Sequence, residues 1–170
     1  MNIQKSRGRG FTLIELLIVI AIIGILSAIV IASLSTARNK ANDASVKANL
    51  HTVKTQATVF FGENVNSYGI FDNGAGGPAD CPTPGTVDAS VFGNTTIENA
   101  IASAIAYTPV GGVASCFALD NDYTATVSRP TVSGASAPPS VYWCVDSAGT
   151  SCGVDTVPSG GDCGTCVTTD

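Results

Sequence analysis

Histidine is almost missing from this chain: His51 is the only one in 170 residues. A Ser-His-Asp triad or a histidine-based metal site has little to draw on. Charge is scarce too, at 12% of residues, and the scarcity is lopsided. Seven of the eight Lys and Arg residues lie at or before Lys54, whereas from Glu63 to Asp170 eleven acids face one base, Arg129. A half of that composition has no basic footprint, which argues against nucleic acid as its partner. No glycine-rich phosphate loop opens a helix. Cys163-Gly164-Thr165-Cys166 is a C-x-x-C pattern, but it lies in a loop-rich tail without the βαβ context of a redox motif. Zinc would want a second pair at similar spacing, and Cys144 and Cys152 are eight apart. No cofactor or metal is expected, and no enzyme.

What the chain does have is a long apolar run from Phe11 to Leu34 with one charge in it, Glu15. A bilayer core needs about 20 helical residues, so the run can span one. Lys5, Arg7 and Arg9 precede it. By the positive-inside rule they keep the N-terminus cytoplasmic and send residues beyond the span outward. An ordinary secretory signal ends its apolar stretch at a small-residue cleavage site. Here the basic residues run straight into Gly10, and no such site follows the run. Cleavage ahead of the apolar segment would leave the helix in the mature chain. Glu15 is costly in a bilayer, by several kcal/mol, unless it is paired or neutralised. It reads either as a charge near the interface or as the partner of a cation buried in the same layer.

The helical pattern continues past Leu34 but changes character. Val46, Leu50, Val53, Ala57 and Phe60 recur at steps of three and four and form one face suited to a sheet. A second stripe, Ala37, Ala41, Ala44 and Ala48, suits close packing with other helices. His51 sits among polar neighbours as a solvated helix position. Phe60-Phe61-Gly62 reads as the helix end, with Gly62 at the C-cap. Residues 63–94 form a long Gly/Pro/Asn-punctuated loop. Thr95-Thr96-Ile97-Glu98 has the form of a capping box with Thr95 at the N-cap, which predicts a short helix over 96–106 ending before Pro109. Strands are expected at Val113 to Leu119, Tyr123 to Ser128 and Val141 to Val145. Asp120-Asn121-Asp122 turns between the first two, and Arg129-Pro130 with the run 133–140 forms the later connection.

The expected divisions are a leader 1–10, a span 11–34, an amphipathic half 35–62 and an exported α+β domain 63–170. That domain comprises a loop and short helix 63–112, an antiparallel sheet 113–146 and a tail 147–170. Cys81, Cys116, Cys144, Cys152, Cys163 and Cys166 all fall in the exported part, so they read as disulfides. A staple from Cys144 or Cys152 to Cys163 or Cys166 would hold the tail to the sheet, and Cys81 with Cys116 would fasten the long loop.

Gly10-Phe11-Thr12-Leu13-Ile14-Glu15, behind a short basic leader, resembles the processing site of type IV pilins and of the related type II secretion pseudopilins. The resemblance is close over roughly residues 5–61. It implies a type IV pilin-like fold, a long helix laid on a small antiparallel sheet. It also implies that a prepilin peptidase cuts between Gly10 and Phe11 and methylates the new Phe11 amine. Glu15 would pair with that amine on a neighbouring copy during assembly. Implied partners are other copies of the chain or other pilins, the peptidase, an inner-membrane platform with an ATPase motor, and lipid before assembly. The precursor would sit in the inner membrane, and the product in a surface filament or periplasmic pseudopilus. Many pilins carry proline eight residues after the glycine matching Gly24; here that position is Ala32. Some major pseudopilins bind calcium. Asp120, Asp122, Asp155 and Asp162 approach no complete calcium loop and read as turn formers. The alternatives to a pilus subunit are a pseudopilin of a secretion or DNA-uptake machine and a single-span protein that displays a binding domain without polymerising.

Overall fold

A computed structural model of the chain describes residues 11–108, 112–130 and 142–167. The leader with Gly10, Pro109, the 133–140 connection and Val141 lie outside the described residues. There are two compact units, Met1–Ala37 and Arg38–Asp170. One helix, α1 (Leu13–Glu63), runs through both.

The second unit is built on the C-terminal half of α1. Val46, Leu50, Val53 and Ala57 are buried to 2% exposure or less. They share one core with a five-stranded antiparallel sheet. The strands are β1 (Ala79–Asp80), β2 (Ala114–Leu119), β3 (Asp122–Ser128), β4 (Tyr142–Asp146) and β5 (Ser151–Val154), and their spatial order is their chain order. Alternation along each strand sorts the faces. Tyr123, Ala125 and Val127 of β3 and Trp143 and Val145 of β4 join the core, while β2 offers the small residues Ala114, Cys116 and Ala118. A short helix, α2 (Thr95–Ala106), adds Ile97, Ile101 and Ala104 to the same core.

Two strands go beyond the sequence expectation of three. β1 is a two-residue segment of the long loop, made a strand by its pairing with Cys116 and Ser115. β5 lies in the tail that was expected to be loop, and pairs with β4 from Val145↔Ser151 to Tyr142↔Val154. Its Ser-Cys-Gly-Val sequence carries little strand propensity, so tertiary pairing decides it. The loop also covers the outer edge of β2: Tyr68 N–H donates to the Asp120 carbonyl at 2.9 Å, and Phe71 and Ala118 exchange both backbone bonds. Phe61, Tyr68, Tyr123, Phe92 and Phe71 form a chain of ring contacts 4.6 to 6.3 Å apart that closes the core near the end of α1.

The far face of the sheet is covered by the tail. Cys144, Cys152, Val154 and Cys163 form a second small core there. The bonds are Cys144–Cys163 and Cys152–Cys166, and a third, Cys81–Cys116, ties the long loop to β2. Asp146, at 2% exposure, accepts from Thr150 N–H (2.8 Å) and Cys163 N–H (3.0 Å). The Thr124 hydroxyl donates to the Gly160 carbonyl, and Val167 N–H to that of Gly153. Gly161 has no room for a side chain: a Cβ there would lie 2.3 Å from that of Asp122.

Two helix ends differ from the sequence reading. Gly62 stays inside α1, which runs to Glu63. The reversal falls instead on Val65 and Asn66, at φ 57° and 58°, and Asn66 N–H closes onto the Phe61 carbonyl at 3.0 Å. That six-residue closure is a Schellman-type ending with a β-branched residue where glycine is favoured. At α2 the cap is Asn94, not Thr95; its side chain accepts from the N–H groups of Thr96 and Ile97. Glu98 does not reach back to a cap. It is buried, and accepts from Gly85 N–H at 2.9 Å.

Val65 is 94% exposed, so nothing but its backbone is at stake. Val65→Gly should raise the unfolding free energy of the full chain in detergent by about 1 kcal/mol, read as a higher urea midpoint. Burial pushes the Tyr123 phenol well up, helped by Tyr68 and Asp146; Tyr68 is raised by burial and by the charge of Asp122. The unfolded chain loses these protons near pH 10 while the folded chain keeps them. Stability is therefore full below about pH 10 and falls as pH rises beyond it. The urea midpoint should drop between about pH 9 and pH 11, and drop less in Tyr123→Phe.

Candidate functional site

The first unit has no core of its own to supply. Within α1 every large apolar residue from Leu13 to Leu34 is exposed by about half or more. By length and composition this helix can cross a membrane. Phe11 stands just before it, 84% exposed. Gly24 leaves a bare spot: apart from its own turn of helix backbone, nothing lies within 4 Å of where a Cβ would be. A neighbouring helix can approach closely at such a spot.

Glu15 lies in the first turn and is not unpartnered. Its carboxylate accepts from Thr12 N–H at 2.9 Å and from the Thr12 hydroxyl at 2.6 Å, while Glu15 N–H donates back to that hydroxyl at 3.3 Å. This is a capping box, with Thr12 at the N-cap and Glu15 three residues on. The T-x-x-E pattern at 12–15 is visible in the sequence, and reading Glu15 only as a bilayer charge missed it. Physically, the box gives the carboxylate hydrogen-bond donors inside its own chain and places a negative charge at the positive end of the helix dipole.

The second unit holds a polar clasp that the sequence reading also missed. Asp43 on α1 takes Arg129 Nε at 3.2 Å and Nη2 at 3.3 Å, and the Trp143 indole N–H at 2.7 Å. The Trp143 ring has Arg129 and Lys47 each 4.2 Å from its centre. Further along α1, Lys54 Nζ donates to the Gly149 carbonyl at 2.6 Å in the β4–β5 turn. Asp43 lies on the line of Val46 and Leu50, and Arg129 is the only base after Lys54. Those two odd charges were the available signal.

The other sequence candidates scatter. His51 is exposed on α1. Asp120 accepts from Ser67, Asp122 from Ser147, and Asp162 from Gly164 N–H, so each closes a local turn or tie. Among the described residues no group of three His, Cys, Asp or Glu is placed to hold a metal ion. The cysteines join as disulfides rather than as a thiol pair, with no free cysteine among the described residues.

Residues 5–31 match the family described as the prokaryotic N-terminal methylation motif. The chain carries a prepilin methylation motif. Two relatives extend the likeness. One is the type IV major pilin protein PilA of Myxococcus xanthus, 43% identical over 72 residues, which are 42% of this chain and 32% of that protein. The other is the type IV wide pilus major component PilA4 of Thermus thermophilus, 63% identical over 43 residues, 25% of this chain and 33% of that protein. The chain thus spans about a third of the length of the curated relatives it matches. No solved structure matches it significantly. The long helix and five-stranded antiparallel sheet make the fold α+β, as the sequence implied.

Asp43→Ala would strip both Arg129 and the Trp143 N–H of a partner in a part-buried site. A loss of about 2 kcal/mol is expected, with a lower urea midpoint and a shift in Trp143 fluorescence, the only tryptophan signal. Asp43→Asn, which keeps an acceptor for the indole, should lose less.

Proposed function

We propose that the chain is a structural subunit of a type IV pilus-like filament and not an enzyme. The observation that carries the reading is the methylation motif joined without a break to a helix whose apolar side chains have no partner in their own unit. The precursor sits in the cytoplasmic membrane with residues 1–10 inside. A prepilin peptidase removes them between Gly10 and Phe11 and methylates the Phe11 amine. Helices 11–34 then leave lipid and pack together as a filament core. Extraction exchanges lipid contacts for helix contacts, and the resemblance to pilins implies an ATP-driven platform in the membrane that supplies the work. The second unit forms the outer surface, stapled for an oxidising exterior by its disulfides.

Glu15 is the residue that sets the register in this scheme. In the isolated chain its charge is held by Thr12. Once the leader is removed, the Phe11 amine of an adjoining copy offers a full positive charge, and a charged partner is worth about 1.5–3 kcal/mol. That is roughly tenfold or more in each addition step.

Mass spectrometry of the mature chain should give an N-terminus at N-methyl-Phe11, and microscopy should show sheared surface fibres. A chain that keeps its leader and shows no fibres would mean a single-span display protein instead. Glu15→Ala should stay membrane-inserted and lose roughly tenfold or more in fibre yield. Thr12→Ala opens the capping box but keeps the carboxylate, and should lose far less. Equal losses from both would reduce Glu15 to a helix cap.

A further inference from the structure

The bonds that close the tail cross one another. In chain order the cysteines there are Cys144, Cys152, Cys163 and Cys166, and the bonds are Cys144–Cys163 and Cys152–Cys166, 19 and 14 residues apart. Each loop therefore encloses one end of the other, and the Cys163-Gly164-Thr165-Cys166 pair is split between two bonds. Sequence neighbours do not pair, although they are much closer: Cys144 and Cys152 are eight apart, Cys163 and Cys166 three. Cys81–Cys116 differs, because it joins consecutive cysteines and interleaves with neither.

Two routes to oxidation both lead first to the consecutive pairs. In an unfolded chain the cost of closing a loop grows as (3/2)RT ln n, and over two bonds this favours the consecutive set by roughly tenfold or more. In a chain whose sheet has formed, β4 and β5 set Cys144 directly opposite Cys152. Opposite residues share a face with Cα atoms about 4.5–5.5 Å apart, a gap that a disulfide spans. Early docking of the tail does not prevent this. What the tail brings to the small core on that face is Cys163, with Cys166 packed at the margin. The apolar contact that seats the tail is thus made by the crossed bonds themselves. Its backbone bonds, Cys163 N–H to Asp146 and Val167 N–H to Gly153, gain little over the bonds water would make to a free tail.

We propose that the second unit is a client of a thiol–disulfide isomerase, which exchanges the consecutive pairs for the crossed ones. A protein disulfide acting as oxidant first takes two electrons from each dithiol, whose two protons pass to water, and leaves Cys144–Cys152 and Cys163–Cys166. The isomerase thiolate then attacks Cys152 Sγ; that sulfur bonds to the isomerase, and Cys144 leaves as a thiolate. Cys144 attacks Cys163 Sγ, which forms Cys144–Cys163 and frees the Cys166 thiolate. Cys166 attacks Cys152 Sγ, which forms Cys152–Cys166 and returns the isomerase thiolate. No electrons are gained or lost over the cycle. The crossed set is retained because it seats the tail and buries Cys144, Cys152 and Cys163. This step is needed whether or not the chain polymerises.

The test reoxidises the full chain in detergent, after reduction and unfolding in urea, with a DsbA-type protein oxidant. Reduced protein disulfide isomerase is added to one sample and the same enzyme with alkylated active-site thiols to another. After quenching, the chain is cut before aspartate without reduction and weighed. Asp146 lies between Cys144 and Cys152, and Asp155 and Asp162 between Cys152 and Cys163. Crossed bonds hold three peptides together, whereas consecutive bonds leave Cys163–Cys166 as a loop within one peptide; fragmentation between Cys163 and Cys166 assigns the partners. The oxidant alone, or with the alkylated enzyme, should give the consecutive set in roughly tenfold excess, and the active isomerase should convert it to the crossed set. Cys81–Cys116 should form equally in every sample. Cys152→Ser with Cys166→Ser removes the competing partners, so Cys144–Cys163 should then form without the isomerase. Crossed pairs formed as fast and as fully by the oxidant alone would overturn the proposal, as would a double variant that still needs the isomerase.

Discussion

The second unit depends on burying one stripe of one helix. Val46, Leu50, Val53 and Ala57 have no other place to go than against the sheet, and the sheet's core face has little else of comparable length to cover it. Each of the larger three contributes about 1.5–3 kcal/mol on burial, so together they rival the whole stability of an ordinary domain. The Asp43 clasp is weaker in energy but more directional. It fixes the rotation of α1 over the sheet, because a carboxylate, a guanidinium and an indole N–H meet at only one setting. The disulfides act at the margins, tying down the long loop and the tail that the core does not reach.

The same helix solves two opposite problems. Over residues 13–34 it offers apolar side chains to whatever surrounds it, and its only charge is folded back onto Thr12. From Arg38 onward it carries cations, and two of its lysines are used inside the unit: Lys47 on Trp143 and Lys54 on a turn carbonyl. One continuous backbone therefore passes from a segment that is soluble in lipid to one that organises a water-facing domain. No break is needed, because helical hydrogen bonds are satisfied within the segment in either solvent.

Much of this is legible in the sequence, and the failures are instructive. Periodicity locates α1 and its buried stripe, because 3.6-residue spacing is a geometric consequence of the helix. β3 and β4 show as runs of β-branched and aromatic residues, and β2 as a mostly apolar run that stops at the Asp120-Asn121-Asp122 turn. The T-x-x-E pattern occurs twice, at 12–15 and 95–98, and forms a capping box only at the first. At the second, Asn94 competes one residue earlier and takes the cap, and core packing draws Glu98 inward. Local pattern cannot decide that contest, since the winner depends on what lies beneath the helix. β1 and β5 are invisible for a similar reason: two and four residues with weak propensity become strands only because β2 and β4 present free edges to them. Gly62 invites a helix end, but the aromatic contacts of Phe61 keep the turn intact one residue further and push the left-handed step onto Val65.

The shortness of β1 and the tie from Val167 to Gly153 bear on how such copies can be stored at high local density. Among the described residues neither margin of the sheet presents a long row of unclaimed N–H and C=O groups. Strand donation and cross-β stacking, which feed on such rows, have no template here. Crowding in a membrane or on a surface then favours contacts made by side chains, which salt and sequence can tune and which can be undone, over backbone ladders that are effectively permanent.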